Sequence, residues 1–278
     1  MNFPLPARSV SALALGFCLA FSGAAKAAER GELNSNPSLF AVLAALNVSG
    51  YDAEIDSPTN HDARKAVRAY ILKKNPPVLA DLKQFYAGHR TGDANRDLSN
   101  FISLALVLQG PPMFQTVTHL KELPPDAVEL EAMTPLLARL WKEADLEALW
   151  KELEPVYDRI LERYHEPVTQ ELLRANAYLR NPTSGYVGRR FVVYVDFMGA
   201  PNQVQTRSFG DDYFVVATIS AETPIDDIRH AYLFYVLDPL SLKFSKEIEK
   251  KKDLKSFAQA PPALPAFYKE DFYLLTSA

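Results

Sequence analysis

Phe191-Val192-Val193-Tyr194-Val195-Asp196-Phe197 is the stretch on which the fold class turns. Its β-branched and aromatic residues suit a pleated, half-buried strand better than a helix. From Asn36 to about Arg180 the apolar residues recur with a helical period, so the architecture changes at the loop Asn181-Pro182-Thr183-Ser184-Gly185. Two more strands are predicted, at residues 204–208, where polar and apolar residues alternate, and at 213–219. Turn signals separate them at Gly199-Ala200-Pro201-Asn202 and at Gly210-Asp211. The expectation is an α+β protein: a helical N-terminal half, then a small antiparallel three-stranded meander that leads into a helix.

That last helix contains Ile228-Arg229-His230-Ala231-Tyr232-Leu233-Phe234-Tyr235. Thr223 can cap it, Pro224 suits the first helical position, and Asp226 completes a capping-box spacing. Asp238-Pro239 marks the expected stop. Ile228, Tyr232 and Tyr235 fall on one side with Ala231 and Val236 around them, which predicts a buried or half-buried helix.

Strands followed by a helix with a histidine in this frame resemble the zincin-type, HExxH-like domain of exported bacterial proteins related to gluzincin peptidases. The resemblance covers residues 180–240. In the HExxH motif two histidines four apart bind zinc, and the glutamate between them is the general base. The resemblance implies that His230 holds the first ligand position, that Ala231 replaces the base and that Phe234 replaces the second ligand. Glu247, Glu249 and Asp253 lie in range of the third ligand, without an identifiable counterpart. Gly199-Ala200-Pro201-Asn202 is faintly similar to the substrate strand of gluzincin aminopeptidases and lacks its glutamate.

A peptidase zinc needs three protein ligands and a base for its water, and one histidine cannot supply them. Asp226 and Asp227 precede His230 by four and three residues and could share its helical face. Their place in a first turn is the better explanation, since carboxylates there are favoured by the unpaired N–H groups and the helix dipole. The expected binding face is therefore His230, Asp227 and Tyr232, with no catalytic residue, no metal ligand set and no cofactor; zinc is kept as an alternative.

Upstream, Asn36-Pro37 and Asn75-Pro76 predict helix entries, with Asn as cap and Pro in the first turn. Apolar faces follow at Phe40, Leu43, Ala44 and Leu46, at Val67, Tyr70 and Ile71, and at Phe101, Leu104 and Leu108. Pro111-Pro112 is expected to end the last of these helices. The clearest period is Leu146, Leu149, Trp150, Leu153, Tyr157, Ile160, Leu161 and Tyr164, with Pro155 expected to kink the helix and Pro167 to open another. No recurring signature marks a solenoid.

Residues 1–27 read as a secretory signal peptide: Arg8, an apolar run over residues 10–21, then Ala25-Lys26-Ala27. The only cysteine, Cys18, lies inside it, so the mature chain would hold neither disulfide nor thiolate site. Without Arg8 and Lys26 the chain has 28 basic and 34 acidic residues, net −6, which does not favour nucleic acid. His61, His89, His119 and His165 have no spacing partner and are expected as surface or cap residues. Nucleophile-elbow, P-loop and dinucleotide motifs are missing. Residues 243–255 alternate in charge as a solvated helix does, and residues 270–275 begin an amphipathic helix that ends early at Ala278.

The chain thus divides into a signal peptide at 1–27, a helical region at 28–182 and a zincin-like α+β region at 183–278. It is expected to be exported to the periplasm or outside the cell, with no stable membrane span after signal removal. The favoured function is noncatalytic binding of a protein or peptide partner, with no nucleic acid. A zinc-dependent hydrolase with atypical ligands and a structural helical interaction module are the alternatives.

Overall fold

The computed structural model describes residues 32–117, 123–180, 189–219 and 223–251. The expected signal peptide, Asp253, His119, the C-terminal helix at 270–275 and the boundary near 183 lie outside them.

After a short strand β1 (Glu32–Asn34), the Asn-Pro signal acts as expected: Asn36 accepts from the Ser38 and Leu39 amides at 2.8 and 3.0 Å and starts α1 (Pro37–Ser49). All of α1 from Ser38 onward is buried, as befits a helix apolar on every side. It is the core around which α2 (Asp62–Lys74), α3 (Leu79–His89), α4 (Ala94–Leu106) and α6 (Thr134–Glu143) pack, with α5 (Pro125–Leu130) against α4. His61 is indeed a cap: its Nδ1 accepts from the Ala63 amide at 3.2 Å.

Two proline signals turn out differently. Asn75 closes α2 rather than opening a helix; it sits in the left-handed region at φ 47°, and α3 begins only at Leu79. Asparagine serves either end of a helix because its short polar side chain tolerates that conformation. Pro167 opens nothing, since α7 (Leu146–Leu179) is one helix with Pro155 and Pro167 inside it. The carbonyls these prolines leave without an N–H belong to Lys151 and Arg163, both exposed, where water can satisfy them. The face predicted at Leu146, Leu149, Trp150 and Tyr157 is buried or half-buried. It joins a chain of rings across the molecule: Phe40–Trp150 at 5.2 Å, Trp150–Tyr157 at 5.0 Å, Tyr157–Phe197 at 4.4 Å and Phe197–His61 at 5.2 Å.

The sheet corrects the expected meander. It contains β2 (Arg190–Asp196), β3 (Val204–Phe209) and β4 (Asp212–Thr218) in the order β1-β2-β4-β3, with β1, β2 and β4 parallel and only β3 antiparallel, against β4. β4 therefore lies between β2 and β3, and residues 197–203 pass over its end. The physical reason is burial: β2 and β4 are apolar almost throughout, as central parallel strands are, whereas alternating Val204-Gln205-Thr206-Arg207 suits an edge. A fork from Arg190 to both oxygens of Asp212, at 2.8 and 2.7 Å, ties the starts of β2 and β4 together.

On one side of the sheet Phe191 and Tyr213 meet α8 (Ile225–Lys243), where Phe191 lies 5.0 Å from the Tyr232 ring. On the other, Arg207 reaches Ser103 Oγ at 2.5 Å, the Ser99 carbonyl at 2.8 Å and the Ser99 hydroxyl, all on α4. Helices and sheet share one hydrophobic core. A short α9 (Ser245–Glu249) follows, and among the described residues no helix is long and apolar enough to cross a membrane.

Candidate functional site

The helix that carries His230 starts and stops differently from its sequence signals. Pro224 is the residue before the helix, not its first, and no side chain caps it; Thr223 contributes only its carbonyl, to the Ile225 amide at 2.8 Å. Asp226 instead pairs with Arg229 at 2.8 Å, and Arg229 reaches Glu171 of α7 at 3.2 Å. That hydrogen bond, joined by one from Arg174, holds the Glu171 carboxyl below the usual carboxylate range. Pro239 lies inside α8 and does not end it. The missing N–H would have bonded the Tyr235 carbonyl, which accepts from the Arg189 guanidinium at 3.4 Å, while the Tyr235 hydroxyl donates to the Arg189 carbonyl at 2.8 Å.

α8 has two working faces. Ile228, Tyr232, Tyr235 and Val236 are buried. Tyr232, expected with His230 in the binding face, is placed on this inner side: its hydroxyl donates to Asn176 of α7 at 2.8 Å, and burial raises the phenol. On the other face Asp227, His230, Ala231 and Phe234, at i, i+3, i+4 and i+7, turn towards β3. The structure therefore brings Asp227 and His230 together and leaves Tyr232 behind them.

Between this face and β3 runs a cleft of about 490 Å³, lined also by Asn95, Tyr213 and residues 202–206. His230 and Asp227 are exposed there, Ala231 is buried at its floor, and the Phe234 ring lies 5.2 Å from the imidazole. Along the opposite wall, Gln203 donates to Asn95 at 2.6 Å and Gln205 donates to Gln203 at 3.4 Å. A row of side-chain amides thus faces a histidine, a carboxylate and two aromatic rings. Asn95, Gln203 and Gln205 are not among the predicted site residues; the signal for the glutamines was the polar alternation of an edge strand, whereas Asn95 on α4 carried none.

β3 borders the cleft with the side that no other strand pairs among the described residues. The Thr218 amide donates to the Gln203 carbonyl at 3.0 Å, and with the strand register this turns the main chain of Gln203, Gln205 and Arg207 towards β4. The main-chain groups of Val204, Thr206 and Ser208 point the other way.

His230 and Asp227 bring an imidazole and a carboxylate to the cleft, the side-chain amides bring hydrogen-bond donors and acceptors, and Phe234 and Tyr213 bring apolar contact. Ala231 has no proton to transfer and Phe234 no lone pair to give a metal, and among the described residues no three His, Cys, Asp or Glu side chains gather in a metal-binding group. Glu247 and Glu249 are exposed on α9. Comparison with known proteins returns no matching family model, no matching curated relative and no matching solved structure.

Proposed function

We propose that this chain is an exported, noncatalytic binding protein whose ligand is an extended peptide segment laid in the cleft between β3 and α8. The observation that carries this is the position of β3: an edge strand whose outward main-chain groups border a cleft walled by side-chain amides. An extended peptide offers alternating N–H and C=O groups, which an edge strand can pair, while its side chains enter adjoining pockets. Side-chain amides donate and accept at once and so match a peptide main chain without an added charge. Asp227 and His230 would select the ligand's polar groups, and Phe234 and Tyr213 its apolar ones.

The noncatalytic part rests on Ala231 and Phe234 at the positions where a zincin carries base and second ligand. The test is a library of short peptides screened against purified protein by isotopic amide-shift mapping, followed by Thr206→Pro. The Thr206 N–H points away from β4, so proline there removes an outward donor and leaves the ladder bonds in place. Binding should fall by roughly tenfold or more if β3 pairs with the ligand. Full-strength binding by Thr206→Pro, or shifts confined to the Trp150 face of α7, would remove the support for this site. Stoichiometric zinc by elemental analysis, with peptide hydrolysis lost in His230→Ala, would establish the hydrolase alternative.

A further inference from the structure

The crossover at residues 197–203, which ends in two cleft residues, is held from inside the protein by a buried polar network. Asp196 is 1 % exposed, and its Oδ2 accepts from both the Met198 and Gly199 amides at 2.8 Å. The carbonyl of Met198 accepts from Asn47 Nδ2 at 2.8 Å, and Asn47 Oδ1 accepts from Arg64 Nε at 2.9 Å. Arg64, fully buried, also donates to the Ala53 carbonyl at 2.9 Å and to Asn60 at 3.3 Å. The far end of the crossover supplies Asn202 and Gln203 to the cleft, and the Gln203 carbonyl is bonded to Thr218 at the end of β4.

Two atoms of this network have no hydrogen bond among the described residues: Asp196 Oδ1 and Arg64 Nη2. The carboxylate can therefore receive a proton at Oδ1 without losing an existing bond. That proton would convert the two bonds at Oδ2 from charge-assisted to neutral, which are about half as strong.

We propose that Asp196 is a proton-operated latch on the crossover: when it is ionised the loop is drawn tight and Asn202 and Gln203 are fixed in the cleft, and uptake of one proton slackens them. The inference concerns the cleft's own geometry and holds whatever occupies the cleft. Burial raises the Asp196 carboxyl to about 6, against the pull of the Gly199 and Met198 amides and of Arg64, so the change falls near neutrality. The groups around it are Arg64 from α2, buried Tyr157 from α7, and the Thr218 hydroxyl of β4, 2.6 Å from where a β-carbon on Gly199 would lie. Arg64 is in turn faced by Tyr51, Asp52 and Arg68, and Phe197 by His61, near Asp62 and Arg163.

Full-length chain, labelled with ¹³C and ¹⁵N, is titrated from acid to mildly basic pH. The Asp196 carboxyl carbon is followed with the amides of Met198, Gly199, Asn202 and Gln203 and the rings of His61 and His230. The expected result is one shared midpoint near 6 for Asp196 and the four amides. In Asp196→Asn the Asn202 and Gln203 amides should cease to titrate while the His61 ring still does. Amides that stay flat while Asp196 titrates, or that follow a histidine and persist in Asp196→Asn, would overturn the latch; so would an Asp196 midpoint in the ordinary carboxylate range. If Asp196→Asn does not fold, His61→Gln and His230→Gln in the otherwise native chain decide it: a midpoint unchanged by both supports the latch, and one lost with either histidine refutes it.

Discussion

Asn47 and Met198, 151 residues apart, are joined by a 2.8 Å hydrogen bond from the Asn47 amide to the Met198 carbonyl. It links the central helix to the crossover of the sheet, and the same side chain also takes a bond from buried Arg64. Replacing Asn47 by leucine keeps the volume close and removes both of these bonds and a third, from Nδ2 to the Leu43 carbonyl at 2.7 Å, leaving Arg64 Nε and the Met198 carbonyl buried without partners. Such losses cost about 1–3 kcal/mol each. Urea unfolding should show a loss of roughly 2–5 kcal/mol with an unchanged slope; a loss below about 0.5 kcal/mol would mean that the network contributes nothing net.

Helix starts give a paired prediction. Asn36 caps α1 with two bonds, whereas Thr223 makes no side-chain cap on α8 despite a matching sequence. Asn36→Ala should cost about 1 kcal/mol, and Thr223→Ala no more than a few tenths. Equal effects in thermal unfolding would contradict the two cap geometries.

At Gly199 an added β-carbon would lie 2.6 Å from Thr218 Oγ1, closer than packing tolerates. Gly199→Ala is expected to destabilise by about 1–3 kcal/mol. Adding Thr218→Ala removes the obstructing oxygen, so the double variant should recover part of that loss. A double-mutant cycle with zero coupling would place the strain elsewhere.

The pH dependence of stability follows from Asp196, whose carboxyl burial raises to about 6. In the unfolded chain the same group titrates near ~3.9. Between these values the native state holds the proton and the unfolded chain does not, so stability falls as pH rises from about 4 to about 6 and is level above. The difference is on the order of 3 kcal/mol. Glu171, held below the usual range, acts in the opposite sense but is common to both chains when the native protein is compared with Asp196→Asn. Urea midpoints measured over that window should fall more steeply in the native protein; parallel curves would show that Asp196 titrates normally.

Much of the helical half was legible in the sequence because its signals act locally: the Asn36 cap, the His61 cap and the Leu146–Tyr157 stripe each depend on neighbours within a few residues. Proline was read too strictly. Pro155, Pro167 and Pro239 all sit inside helices, where the carbonyl each one leaves free belongs to an exposed residue, Lys151 or Arg163, or, at Tyr235, accepts from Arg189. Strand order was not legible, since neither turn states that β4 will slip between β2 and β3. The hint was in composition: Val192 and Val215 belong to strands buried on both faces, whereas Gln205 and Arg207 belong to an edge. At the site, His230 and Asp227 were readable from helical spacing, and Tyr232 was misplaced because the sequence does not say which flank of α8 faces Asn176. Asn95 could not be found, as only the tertiary fold brings it to Gln203.

β1 pairs with β2 in parallel, Glu32 opposite Val192 and Asn34 opposite Tyr194. A strand this short has no stability of its own, and its partner is synthesised only after the whole helical half has emerged. Closing so long a loop comes late in folding, because the chain entropy is lost before the contact repays it. The sheet therefore ties the first described residues to a partner more than 150 positions later, so a product stopped before residue 190 would lack the strand that β1 pairs with.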